Sequence, residues 1–158
     1  VRLHDFWSKA KDAIVYSIGV NSSLATLPLT LNSAKAMGIS DRSARLSACL
    51  GTNFNNDGIL LYEAMAVLFV TQAHGITLTL WQQLAMAITC VVATLGIAGI
   101  PEAGFITLSL VLATEGLPVE ILPLLMTVDW VLARLRSATN VISDLTVAAV
   151  LDAPNKCA

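Results

Sequence analysis

Asp129, Arg136, Ser137, Asn140 and Asp144 lie in a segment otherwise dominated by Val, Leu, Ile and Ala. At about 100° per residue these five fall inside an arc of roughly 100° on a helix, so they form one polar stripe, and Arg134 projects away from it. Charges at membrane depth cost several kcal/mol unless paired or hydrated, and by default they mark a substrate or ion path. A purely structural reading has Asp129 and Arg136, two turns apart, neutralising each other in packing, but it leaves Asn140 and Asp144 unexplained. A second group is Gly51-Thr52-Asn53-Phe54-Asn55-Asn56-Asp57-Gly58. Three Asn, an Asp and two Gly make a poor helix interior, so an unwound bend is expected, with free carbonyls and a carboxylate for a small hard cation. A surface turn of the Asn-Asp-Gly kind fits less well, because the apolar run from Ile59 to Val70 follows without a gap. Glu63, one turn beyond the bend, is a candidate proton site if buried, and a carboxylate hydrogen-bonded in a polar crevice explains it equally well. His74 reads as interfacial, and Trp81 and Trp130 as interfacial or packed aromatics.

The elements that must position these groups are set by composition. Of 158 residues, 56% are hydrophobic and only 13% charged, and the mean hydropathy is +0.74. So little charge argues for a membrane protein. A formal net charge of -2 with the Lys and Arg in short clusters excludes a nucleic-acid surface. Cys49, Cys90 and Cys157 have neither zinc-ligand nor redox spacing and read as small apolar fillers. The chain opens at Val1 on a charged amphipathic stretch without an initiator Met or signal peptide, and reads as a piece of something longer.

The apolar stretches are interrupted in a regular way. Residues 84–114 exceed the roughly 20 residues of one span and are broken by Gly96-Ile97-Ala98-Gly99-Ile100-Pro101-Glu102-Ala103-Gly104. Three glycines and a proline do not fit one straight helix. Two half-length helices meeting at a tip inside the membrane fit better, since irregular backbone at that depth is tolerated where it lines a cavity. The same design recurs over 13–32, interrupted by Asn21-Ser22-Ser23-Leu24-Ala25-Thr26-Leu27-Pro28. Each hairpin is followed by a longer apolar segment, 50–73 and 121–151. The expected fold is an all-α membrane protein in which two re-entrant helical hairpins alternate with two transmembrane helices. Interrupted segments at matching positions of two halves point to the binding site of an inverted-repeat secondary transporter. Arg2, Lys9, Lys11, Lys35, Arg42 and Arg45 flank the first hairpin and put its ends on the cytoplasmic side, whereas the loops beside the second, 74–83 and 115–120, lack Lys and Arg.

With tip, Asn-rich bend, second tip and polar stripe in that order, the chain resembles the sodium/dicarboxylate symporter family, which includes glutamate, aspartate and C4-dicarboxylate carriers. The matching motifs are Ser22-Ser23 to Pro28, Asn55-x-Asp57-Gly58, Gly96-x-Ala98-Gly99-Ile100-Pro101-x-Ala103-Gly104, and Asp129-Trp130 through Arg136-x3-Asn140-x3-Asp144. The resemblance covers essentially the whole chain but only the C-terminal part of a family member's transport domain, the second half of its inverted repeat. It implies sodium ions as coupling ions. Asp144 with the carbonyls of Gly51, Asn55 and Asn140 matches one sodium site, and the carbonyls of Asn53, Thr94, Leu95 and Ile97 match a second. The side chains of Asn55 and Asp57 match part of a third. Arg136 matches the residue that clamps the distal carboxylate of an acidic substrate, a role suited to its planar fork. Ser23, Ile100, Gly104, Ser137 and Asn140 match other substrate contacts, and the tips would present backbone N–H groups to carboxylates. Glu63 aligns with a glutamate linked to proton coupling. A homotrimer embedded in lipid, multi-pass in the cell (inner) membrane, is implied for the full-length protein.

This chain departs from the family pattern at several positions. Ala133 stands where the amino-acid carriers have an aspartate for the substrate's ammonium group, while Arg136 is kept, which points to an acidic solute without a required amino group, a dicarboxylate. Asn56 and Ile59 replace the Met and Thr of the usual Asn-Met-Asp-Gly-Thr motif, and Leu24 replaces the third Ser of the serine run. The expected function is cation-coupled symport of a small acidic solute by alternating access, with sodium as the coupling ion and proton coupling, for which Glu63 is the candidate site, left open. An acidic or neutral amino-acid symporter of the same family and a non-transporting membrane subunit are the alternatives. An intramembrane aspartyl protease is disfavoured because Asp57 is followed, not preceded, by Gly and no Gly-x-Gly-Asp occurs. No enzymatic activity is expected.

Overall fold

A computed structural model describes residues 2–95 and 103–153 of the chain. Every regular element among the described residues is helical, with no strand: α1 (Leu3–Val20), α2 (Ser23–Ala36), α3 (Asp41–Phe54), α4 (Asp57–Ala73), α5 (Leu80–Thr94), α6 (Ala103–Thr114), a 3-10 turn Val119–Ile121 and α7 (Leu122–Asp152).

Local chemistry sets the boundaries. α1 stops at Asn21, which takes a left-handed conformation (φ 53°) that Asn tolerates better than other non-glycine residues. Ser22 then caps α2 by accepting the Ala25 N–H at 3.1 Å. The first hairpin is therefore α1, a two-residue tip and α2, and its arms run beyond the expected 13–32 at both ends, because neither the charged residues before Ala13 nor Asn32 supplies a stop. Ser40 accepts the Ser43 N–H and opens α3. A reciprocal pair, Thr79 with the Gln82 backbone and the Gln82 side chain with the Thr79 N–H, opens α5.

The expected unwound stretch over 51–58 is shorter in the structure. Gly51, Thr52 and Asn53 stay in α3, and only Asn55 and Asn56 leave the helix, at φ/ψ of -102/63° and -92/46°. Gly51 is the point where Asp144 comes against α3, in room that a side chain would fill, so this glycine serves close packing and not a bend. The segment 50–73 is accordingly two helices with a kink. The arms α5 and α6 flank the second interruption, whose residues 96–102 lie outside the described ones.

α7 is the shaft of the molecule. Its C-terminal half packs on α1, α2 and α3 through Ala10, Ala13, Ala34, Met37, Ile39, Ala44, Val141, Leu145 and Ala148. Its N-terminal half meets α4 and α6 at a second core of Tyr62, Ala66, Val67, Val70, Met86, Cys90, Leu108, Val111, Leu112 and Leu125. Many large apolar side chains point outward, including Leu61, Met65, Phe69, Trp81, Ile88, Leu124, Trp130 and Leu135. Among the described residues no helix is both long and apolar enough to cross a membrane. α4 and α5 have 17 and 15 residues, and α7, with 31, carries Asp129, Arg134, Arg136 and Asp144.

Candidate functional site

The polar stripe of α7 lies where the two cores meet. Asp129, Arg136, Ser137, Asn140 and Asp144 are all buried. Arg136 donates from Nη1 to Asp129 Oδ1 at 2.5 Å and from Nη2 to Asp129 Oδ2 at 3.2 Å, a two-pronged ion pair one i,i+7 step apart on the same helix. Two flat partners hold the guanidinium. Its central carbon lies 4.2 Å from the centroid of the Tyr62 ring, a cation–π contact. On another side is Gly104 at the start of α6, where a Cβ would meet the guanidinium carbon at 3.2 Å and Nη2 at 3.3 Å. A side chain there would press the guanidinium back by a few tenths of an ångström. The two bonds to Asp129 use two of the five N–H donors of the fork.

One turn and two turns further along α7 the partners change. Asn140 Oδ1 accepts the Gly58 N–H at 2.8 Å, meeting a buried first-turn donor that has no acceptor within α4. Helices α4 and α7 are nearly touching there: a Cβ on Gly58 would sit 2.7 Å from Arg136 Cα and closer still to its carbonyl oxygen. Asp144 Oδ1 accepts from Asn55 Nδ2 at 2.9 Å. It lies directly over Gly51, where a Cβ would overlap the carboxylate. Ser47 donates to the Asp144 main-chain carbonyl at 2.6 Å. The hydroxyl of Ser143 bonds Asp57 Oδ2 and lies 3.3 Å from Asn55 Oδ1. The ion pairs among the described residues are His4–Asp5, Asp41–Arg45 and Asp129–Arg136, so neither Asp57 nor Asp144 has a cationic partner there.

The structure brings together Gly51, Asn55, Asp57, Asn140 and Asp144 at the α3–α4 kink, and Arg136 with Gly104. Ser137, next along the stripe, donates to Asn21 Oδ1 at the first tip at 3.3 Å, with Ser23 two residues on. Thr94 closes α5 and is buried; its carbonyl accepts from Asn56 Nδ2 at 3.4 Å. Asn53 and Leu95 are exposed, and the Asn53 amide donates back to the Cys49 carbonyl. Ile97 and Ile100 lie outside the described residues. Glu63 is fully buried beside Thr107, and neither of its oxygens accepts a hydrogen bond of ordinary geometry. The residues that sequence reasoning missed are Tyr62, Ser143 and Ser47. Ser143 falls only about 20° outside the stripe's arc, so a slightly wider arc finds it, whereas Tyr62 and Ser47 sit in other helices and carry no such signal.

The sequence profile of the sodium:dicarboxylate symporter family matches residues 1–153. The chain is 41% identical over 141 residues to excitatory amino acid transporter 4 of Mus musculus, covering 89% of this chain and 25% of that protein. It is 38% identical over 141 residues to excitatory amino acid transporter 1 of Homo sapiens, covering 89% and 26%. An excitatory amino acid transporter of Caenorhabditis elegans is 38% identical over 140 residues, with 88% and 28% covered. The chain thus spans about a quarter of the length of the curated relatives it matches. By name these relatives are transporters. With a family profile matched over nearly its whole length, the chain belongs to the sodium:dicarboxylate symporter family.

Proposed function

We propose that the full-length protein carries a small acidic solute across a cell membrane by alternating access, coupled to sodium, and that this chain contributes the solute and ion sites. The observation that carries the reading is Arg136: a buried guanidinium, braced by Asp129 and Tyr62, lies against Gly104 at the start of α6, with three N–H donors left for a carboxylate. Ser23, Ser137 and Asn140 complete the solute contacts within the described residues, and Ile100 belongs to the same set. Sodium is co-transported cargo. The donor set suits a small hard cation: Asn55, Asp57 and Asp144 bring carbonyl and carboxylate oxygens to the kink, and hard oxygens are the ligands such ions take. Gly51, Asn53, Thr94, Leu95, Ile97 and Asn140 are assigned main-chain ligands, and Glu63 the proton site. The two interrupted segments act as re-entrant hairpins, and a homotrimer is the proposed assembly.

For the solute, the relatives' names favour an acidic amino acid. Ala133 favours a second reading, a dicarboxylate without an amino group, because a buried methyl on α7 offers an ammonium group no counter-charge. Competition between aspartate and succinate for sodium-dependent uptake by the full-length protein decides between them. Preference for aspartate supports the first and preference for succinate the second, and Ala133→Asp moves the ratio toward aspartate. Uptake that survives Arg136→Ala unchanged removes the anchor on which both rest.

A further inference from the structure

We propose that Ser143 is a cation-positioning residue: its hydroxyl joins Asn55 Oδ1 and Asp57 Oδ2 in an oxygen cradle and sets how tightly the transported cation is held there. The inference rests on the cation-coupled reading above. Serine and threonine inside a helix ordinarily turn the hydroxyl back to a carbonyl of the preceding turn. Thr139, on the same stretch of α7, does so to Leu135, and Thr146 does so to Ile142. Ser143, between them, instead reaches across to the kink and meets two oxygens there, Asn55 Oδ1 just past α3 and Asp57 Oδ2 at the start of α4. The orientation of the Asn55 amide is fixed independently, since its Nδ2 is committed to Asp144 Oδ1. Its carbonyl oxygen must therefore face Ser143.

Three oxygens from three residues thus converge with one proton among them, the hydroxyl hydrogen. A carboxylate and an amide carbonyl both accept, and one hydrogen cannot serve both well. A cation among the three satisfies all of them. The serine is suited to the exchange because its hydrogen rotates freely: without the cation it points at Asp57, and with it the hydrogen swings toward the preceding helical turn and a lone pair faces the ion. Ser143 also borders Asp144, so the same turn of α7 serves both carboxylates.

The test measures the sodium concentration that half-saturates thermal stabilisation and solute binding in the purified full-length protein. Ser143→Ala is expected to raise it about tenfold, the scale for losing one supporting group at a metal site. Ser143→Thr, which keeps the hydroxyl, restores most of the affinity. Ser143→Cys, which keeps the shape but offers soft sulfur to a hard ion, weakens sodium as Ala does. A merely structural tie would lower the melting temperature in sodium-free buffer and leave the sodium midpoint in place, and that result overturns the proposal. If wild type responds to sodium and Asp57→Asn does not, but Ser143→Ala matches wild type, Ser143 alone is eliminated. If wild type shows no sodium response, the coupled-transport reading fails and the role of Ser143 goes with it.

Discussion

The two ends of the α7 stripe hold buried negative charge in opposite ways. At Asp129 the counter-charge is built in: Arg136 binds both carboxylate oxygens and is itself backed by Tyr62 and Gly104. At the α3–α4 kink Asp57 and Asp144 are met by a hydroxyl and an amide, with no ion pair to either among the described residues. A buried ion pair survives because its two desolvation costs are offset by mutual attraction. Asp144, buried and met by a neutral donor, lacks that offset, and on the proposed function the transported cation supplies it. On the proposed function the first region meets an anion and the second takes a cation, and one continuous helix joins them.

Removing charge should therefore have opposite consequences at the two ends, and this is the largest expected contrast. Arg136→Ala leaves Asp129 buried without its partner, which costs about 3–5 kcal/mol and abolishes solute uptake. Asp144→Asn keeps an acceptor for Asn55 and removes an uncompensated charge. In sodium-free buffer its melting curve should stay within about 1 kcal/mol of wild type, while the rise in stability on adding sodium disappears. Equal losses for both variants in sodium-free denaturation would break the contrast.

Next in size are the two glycines that set how close α7 comes to its neighbours. Gly58→Ala pushes a methyl into the main chain of Arg136, which only a separation of α4 from α7 relieves. The expected cost is about 1–3 kcal/mol, with the solute and sodium responses both weakened because both ends shift. Gly51→Ala meets the Asp144 side chain instead, which moves more easily than backbone. Sodium titration of the full-length protein should be impaired while the Arg136 end is spared. A Gly51→Ala variant that lost solute affinity at saturating sodium as fully as Gly58→Ala would show that the two ends are not separable.

Much of this arrangement was legible in the sequence because its signal is angular. Asp129, Arg136, Ser137, Asn140 and Asp144 are separated by steps that a helical period gathers onto one face, and all five are buried on α7. The structural alternative, an Asp129–Arg136 pair, is also present. Pairing and function are compatible, since two bonds leave part of the fork free. The bend was legible as composition but not in extent: Gly51 is a weak helix former in isolation, yet here it is a helical residue whose missing side chain lets Asp144 lie against α3. What sequence reading could not supply is which side chain of one helix faces which of another. Tyr62 looks like an ordinary apolar position of α4 until the guanidinium is placed over it. The left-handed Asn21 is likewise visible only once its bond with Ser137 fixes the tip against α7.

The smallest effect separates the frame of the kink from its ligands. Ser47 and Ser143 are both serines bonded to the same corner, but Ser47 donates to the main-chain carbonyl of Asp144 and Ser143 to side chains. A carbonyl in the middle of α7 keeps its intrahelical donor when Ser47 is removed. Ser47→Ala therefore forfeits one buried hydrogen bond, about 1 kcal/mol, and lowers the denaturation midpoint slightly at every sodium concentration. Its sodium midpoint should coincide with that of wild type, because no oxygen of the cradle has changed. A shifted midpoint would mean that the α3–α7 contact itself tunes cation affinity, and the neutral-donor region would then have to be drawn to include α3 as far back as Ser47.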